Sequence, residues 1–252
     1  MKFIGLLLGL HLATATITVW AGEAPSLIER ALVAESKFDS QTALDLFLAA
    51  DRAKPNDGFI LQKIARQYSD SILDTADIEE KKHRAEQALA YAQRSVAVAP
   101  DNAENVLSLA VCHGTLAVYS DTRTKLRYSR LVKEEAERAL VLNPDYDWAH
   151  HLLGRWHYEV ATLGATKRFF VRIIYGGLPE ASFNQAITHL ERAVALAPKV
   201  APHHLELGFA LLAAGREADA RVAFNRGLAL PSTGKHDDAA KDRARAALQQ
   251  LK

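Results

Sequence analysis

Ten histidines are the residues of this chain best suited to chemistry. His150, His151 and His157 share one stretch, and His203 and His204 begin another. Neutral imidazole is a common ligand for zinc and related metals, and rings one and seven residues apart can share an ion with a neighbouring helix. No acidic residue is placed beside them to complete a clear ligand set. No metal and no other cofactor is therefore expected, and a histidine-based metal-dependent enzyme is the lesser alternative. The one cysteine, Cys112, lies in an apolar run. A single thiol makes neither an internal disulfide nor a zinc cage, so it reads as a small buried hydrophobe. The chain has no Gly-rich phosphate loop, no His-Glu-x-x-His and no Gly-x-Ser-x-Gly. No catalytic residue is assigned, and the chain is not read as an enzyme.

A second group suits binding. Trp148, His151, Arg155, Tyr158 and Glu159 recur at intervals that keep them on one side of a helix. Trp, Tyr and Arg are the residue types that carry most interface energy. The alternative for Arg155 is an internal bridge to a carboxylate on an adjacent helix.

What must position these residues is a repeat. Five times an alanine-centred helix runs into a proline: Ala43, Phe47, Ala50 and Pro55; Ala88, Ala92, Ser95 and Pro100; Val132, Ala136, Ala139 and Pro144; Ala186, Leu190, Ala193 and Pro198; Ala220, Phe224, Gly227 and Pro231. Small residues three, four and seven apart let a neighbouring helix come close, and the proline stops the helix by withholding an N–H and crowding the previous turn. Another helix precedes each of these, as in Leu61, Ile64, Ala65 and Tyr68, or His204, Leu207, Gly208 and Leu211. His113, His150, His157 and His204 fall at the large positions of this pattern, where helix packs on helix.

The pattern resembles tetratricopeptide repeats. The expected fold is all-α: one domain over residues 22–252, an antiparallel helix-pair solenoid of about five repeats. The first and last units keep the usual twelve-residue spacing, Ala31 to Ala43 and Gly208 to Ala220. The middle three are longer, so each carries an insertion. The first is charged and lengthens the helices. The second, around Tyr119, is a loop leading into a helix. The third, residues 167–179, mixes basic and apolar residues. Residues 237–252 read as a capping helix. In this register Trp148, His151, Arg155, Tyr158 and Glu159 point into the concave groove. The groove lacks the Lys and Asn clamp for a terminal carboxylate, and Leu107, Val111, Leu205 and Phe209 make it mostly apolar, which suits capture of a helix or an extended peptide.

Within this pattern, Gly154-Arg155-Trp156-His157-Tyr158-Glu159-Val160 and the turn Tyr119-Ser120-Asp121 are similar to the regulator of microtubule dynamics family. The resemblance covers about residues 26–230. It implies a non-catalytic helical adaptor, and some members of the family associate with microtubules and organelle membranes.

Charge and the N-terminus bear on the partner. With 31 basic and 30 acidic residues, the chain has no global field to attract nucleic acid or an acidic filament. Lys2, an apolar stretch and the small-residue site before Gly22 match a secretory signal cleaved after Ala21, which places the protein outside the cytoplasm, periplasmic or extracellular. The alternative is a retained anchor formed by residues 3–21. Phe169, Phe170, Ile173 and Ile174 are expected to pack back onto the stack. The rival is a peripheral membrane tether that uses the N-terminus and the connector from Lys167 to Tyr175, in which Lys167, Arg168 and Arg172 share the face opposite the apolar one. The basic cluster Lys125, Arg127, Arg130 and Lys133 reads as a solvated helix face.

Overall fold

The computed structural model describes residues 14–251, which form twelve α-helices and one 3-10 turn, with no strand among the described residues. The helices pair in chain order: α1 (Thr14–Ser36) with α2 (Ser40–Ala53), α3 (Gly58–Ser71) with α4 (Ile78–Val98), α5 (Ala103–Val118) with α6 (Thr122–Leu142), and α7 (Asp147–Thr162) with α9 (Phe183–Leu196). α8 (Gly164–Tyr175) comes between the last two, and α10 (Ala201–Ala213) with α11 (Glu217–Ala229) completes the fifth pair. α12 (Asp237–Gln250) packs on α10 and α11 as the cap. Residues 1–13 of the expected export segment lie outside the described residues, and its cleavage point after Ala21 falls within α1. No helix among the described residues is long and apolar enough to cross a membrane.

Local chemistry sets the boundaries. Asp39, Asp57, Asp77, Asn102, Asp121 and Ser182 each accept a hydrogen bond from a backbone N–H of the first turn they precede. Such caps satisfy donors that the helix itself leaves unpaired. The prolines stand just beyond α2, α4, α6, α9 and α11. Gly215 takes φ +77 in the turn between α10 and α11, a left-handed conformation that glycine adopts without steric cost.

The alanine positions of the repeat form the spine of the core: Ala31, Ala43, Ala65, Ala88, Ala110, Ala136, Ala186 and Ala220 are all fully buried. Glycines mark the tightest approaches. A Cβ on Gly208 would lie 2.5 Å from the Phe224 ring, and one on Gly154 would lie 2.5 Å from Leu190 Cγ.

The insertions resolve differently. The first two mainly extend helices, since α4 and α6 each run 21 residues. The loop expected at the second insertion is only the turn at residues 119–121. The third insertion corrects the expected packing. It forms α8, and Phe169, Phe170, Ile173 and Ile174 are 56–65% exposed instead of folded onto the stack. Arg168 does not share an outward basic face either; its Nη1 donates to the Ala181 carbonyl at 3.1 Å. Arg130 leaves the solvated face expected of it and donates to the carbonyls of Tyr175, at 2.7 Å, and Gly177, at 3.0 Å. These bonds tie the C-terminal end of α8 to α6.

One long-range contact has no counterpart in the repeat pattern. Lys235, in the segment before α12, reaches Ser40 at 2.9 Å and Asp74 at 2.6 Å, and His236 lies 3.4 Å from Asp70. The segment that follows the last repeat therefore clasps the first two.

Candidate functional site

The first helices of successive pairs touch one another, α3 with α5, α5 with α7 and α7 with α10, and so line the inner face of the superhelix. Four of the five candidate residues are accessible along α7. Trp148 is 40% exposed, the Arg155 side chain 41% and the Glu159 side chain 63%, while Tyr158 is half-buried against the α10 core. His151 is buried and does not line the groove. Its ring lies beneath Trp148, with centroids 5.0 Å apart.

Arg155 forms the internal bridge that the sequence left open. Its Nε is 3.8 Å from Glu206 on α10, and its Nη2 is 3.7 Å from Glu159. Glu206 is almost wholly buried and also meets Arg243 of α12 at 3.3 Å. Arg243 in turn lies 4.6 Å above the Phe209 ring. One buried carboxylate thus holds two guanidinium groups, each about half exposed, on neighbouring elements. Both can still offer N–H donors to a ligand, because Arg carries five in a fixed fork. Arg155 Nε itself is buried without a hydrogen bond.

The groove is more polar than expected. Leu107 and Leu205 turn into the core, and Val111 is exposed. Towards the N-terminal end the inner face carries Glu35, which accepts from Lys63 at 3.0 Å and Gln67 at 2.9 Å and pairs with Arg66 at 3.3 Å. Glu35, Arg66 and Gln67, with Asp70 and the clasp residue Lys235, line a cleft of about 210 Å³. Register alone puts Glu206 and Arg66 on the inner face, so their charge was readable. Arg243 and Lys235 lie outside the repeats and carried no such signal.

The histidines meet in pairs, and no group of three or more His, Cys, Asp and Glu among the described residues is arranged to hold a metal. His150 Nε2 lies 3.0 Å from the Pro144 carbonyl, which can only accept, so that nitrogen carries the proton. With the ring neutral, Nδ1 is left as an acceptor for the His189 Nδ1–H at 3.1 Å. The same logic joins α7 to α10. His203 Nε2 donates to Asp147 at 2.9 Å, and its Nδ1 accepts from His151 Nδ1–H at 3.0 Å. Acidic partners do stand beside two histidines, contrary to expectation: Asp147 at His203, and Glu135 at His113, 2.8 Å away. Both come from helical positions that only the fold brings together. Burial, followed by the neighbouring His150 and His157, lowers His189 to about 4. Burial likewise lowers His157, and burial with His203 and Arg155 holds His151 well below the usual histidine range. Burial pushes the Cys112 thiol up to about 12, in keeping with a packed hydrophobe.

Comparison with known proteins adds a family and a fold. The family model described as Regulator of microtubule dynamics protein 1-3 matches residues 27–252. The chain is 31% identical over 138 residues to regulator of microtubule dynamics protein 3 of Xenopus laevis, covering 55% of this chain and 30% of that protein. It is 26% identical over 191 residues to regulator of microtubule dynamics protein 2 of Homo sapiens, covering 75% of this chain and 47% of that protein. The chain thus spans less than half the length of either relative. Among solved structures, a thermophilic TPR protein of Thermus thermophilus matches with a TM-score of 0.66 at 19% identity, over 90% of this chain and 99% of that one. That likeness is one of fold.

Proposed function

Because this chain belongs to the regulator of microtubule dynamics protein family, we propose that it acts as a non-catalytic adaptor that captures a peptide or helix of a protein partner on the inner face of its last two repeats. The observation that carries this reading is the Arg155–Glu206–Arg243 cluster, bordered by Tyr158 and Phe209. Half-exposed arginines gathered by a buried carboxylate, beside aromatics packed on the core, are pre-organised, so less side-chain freedom remains to be lost on binding. Glu206 and Glu159 together offset the two guanidinium charges, which leaves N–H donors suited to backbone carbonyls of the partner. The microtubule connection in the relatives' names is not part of this reading: basic and acidic residues nearly balance in this chain, and an acidic filament is better matched by a basic surface.

The test is crosslinking and pull-down from the native compartment with wild type, Arg155→Ala and Tyr158→Ala, each checked for helicity by circular dichroism. Each substitution is expected to weaken capture roughly tenfold with helicity unchanged, the scale of an interface anchor. Full capture by both variants removes the groove from consideration.

A further inference from the structure

Helix α8 presents four large apolar side chains to solvent. Phe169, Phe170, Ile173 and Ile174 are 58, 56, 65 and 62% exposed. Positions i, i+1, i+4 and i+5 form one continuous stripe on a helix. The opposite side, with Arg168, Val171 and Tyr175, is half-buried towards the protein. Lys167 and Arg172 fall between the two sides, one along each edge of the apolar stripe. No acidic residue occurs between Glu159 and Glu180. The helix is also held in place. Left-handed glycines bound it, Gly164 at φ +71 and Gly176 at φ +79, and Arg130 and Arg168 fix its base through three backbone carbonyls.

We propose that α8 docks this protein onto an anionic lipid surface, with its apolar stripe in the headgroup boundary and Lys167 and Arg172 beside the lipid phosphates. The geometry suits a helix lying in the plane of the bilayer: 12 residues extend about 18 Å, too short for a hydrocarbon core of about 30 Å. Long basic side chains along the edges of an apolar stripe reach back to the headgroups. A second copy of this chain is a poorer occupant. Pairing two stripes brings four cations together, and α8 has no carboxylate to offset them. The inference is independent of partner capture in the groove.

The test uses the full chain with Ile174→Cys carrying an environment-sensitive dye. Cys112 is buried, with its thiol pushed up to about 12, and escapes labelling. The control carries the dye at Glu191→Cys, on the exposed side of α9. Vesicles are pure phosphatidylcholine, or the same lipid with phosphatidylglycerol. At position 174 the dye is expected to shift to the blue and to be quenched by brominated lipid, with phosphatidylglycerol vesicles only; at position 191 it stays unchanged. The readout is local to α8, so attachment through residues 1–21 does not imitate it. Near an anionic surface each cation contributes roughly fivefold in partition, so Lys167→Gln with Arg172→Gln is expected to lower it about twenty-five-fold. Three results overturn the proposal: no shift at position 174 on anionic vesicles, an equal shift on neutral vesicles that the charge variants leave unaltered, or a concentration-dependent shift without vesicles, which assigns the stripe to a second copy.

Discussion

Acidification is expected to destabilise the fourth repeat through His189. In the folded chain this ring titrates at about 4, against an ordinary 6.5, chiefly because it is buried and then because His150 and His157 stand beside it. Lys133 and Glu137 face it from α6, the lysine opposing its protonation and the glutamate favouring it. Below pH 6.5 the unfolded chain takes up a proton that the folded chain refuses. The unfolded state then binds more protons, so stability is intact above 6.5 and falls as the pH drops towards 4. At pH 5 the full shift corresponds to about 2 kcal/mol, and solvent screening of this partly accessible ring reduces it to about 1 kcal/mol. The assay is urea unfolding, followed by circular dichroism, at pH 7.5 and pH 5.0 for wild type and His189→Gln. Glutamine keeps a donor for His150 but has no proton to gain. Wild type is expected to lose about 0.3 M more of its urea midpoint than the variant on acidification. An equal loss in both proteins, or a larger one in the variant, would refute the assignment.

Gly208→Ala is expected to destabilise by roughly 1–3 kcal/mol, because the new methyl would lie 2.5 Å from the Phe224 ring; the urea midpoint checks this, and an unchanged midpoint means the helices can separate without cost. Lys235→Ala is expected to release the clasp at Asp74 and Ser40 and to open the superhelix, visible as a larger radius of gyration in small-angle scattering while helicity is kept. Its cost in stability is expected to be about 1 kcal/mol or less, since Asp74 is substantially exposed.

Much of this architecture was legible because it rests on local signals. Prolines, capping Asp and Asn residues, and alanines three and four apart act within one or two turns, so the five pairs and their order follow from short stretches. The site was legible only in part. Trp148, Arg155 and Glu159 are accessible on α7 and Tyr158 is half-buried, but His151 lies beneath Trp148 because His203, itself held by Asp147, offers its ring a buried partner. Leu107 and Leu205 were read as groove residues, yet an apolar residue at the edge of a helix face gains more from the core and turns inward. The stripe on α8 has the composition of a buried face. Only the placement of neighbouring helices decides whether anything covers it. Arg243 and Lys235 act from outside the repeats, at positions set by a curvature that accumulates over the whole array.

The contact from Lys235 to Asp74 and Ser40 also limits how such a protein can evolve. An open array of repeats changes length easily, since each unit touches only its neighbours. Here the segment after the last unit must arrive within one side chain's reach of the first two. Packed helices sit roughly 8–10 Å apart, so gaining or losing a pair would carry the two partners well beyond ion-pairing distance. Duplication of a repeat, the usual route by which these arrays grow, would break the loop. The fastening therefore acts as a gauge of repeat number, and substitutions within repeats become the easier path to new specificity.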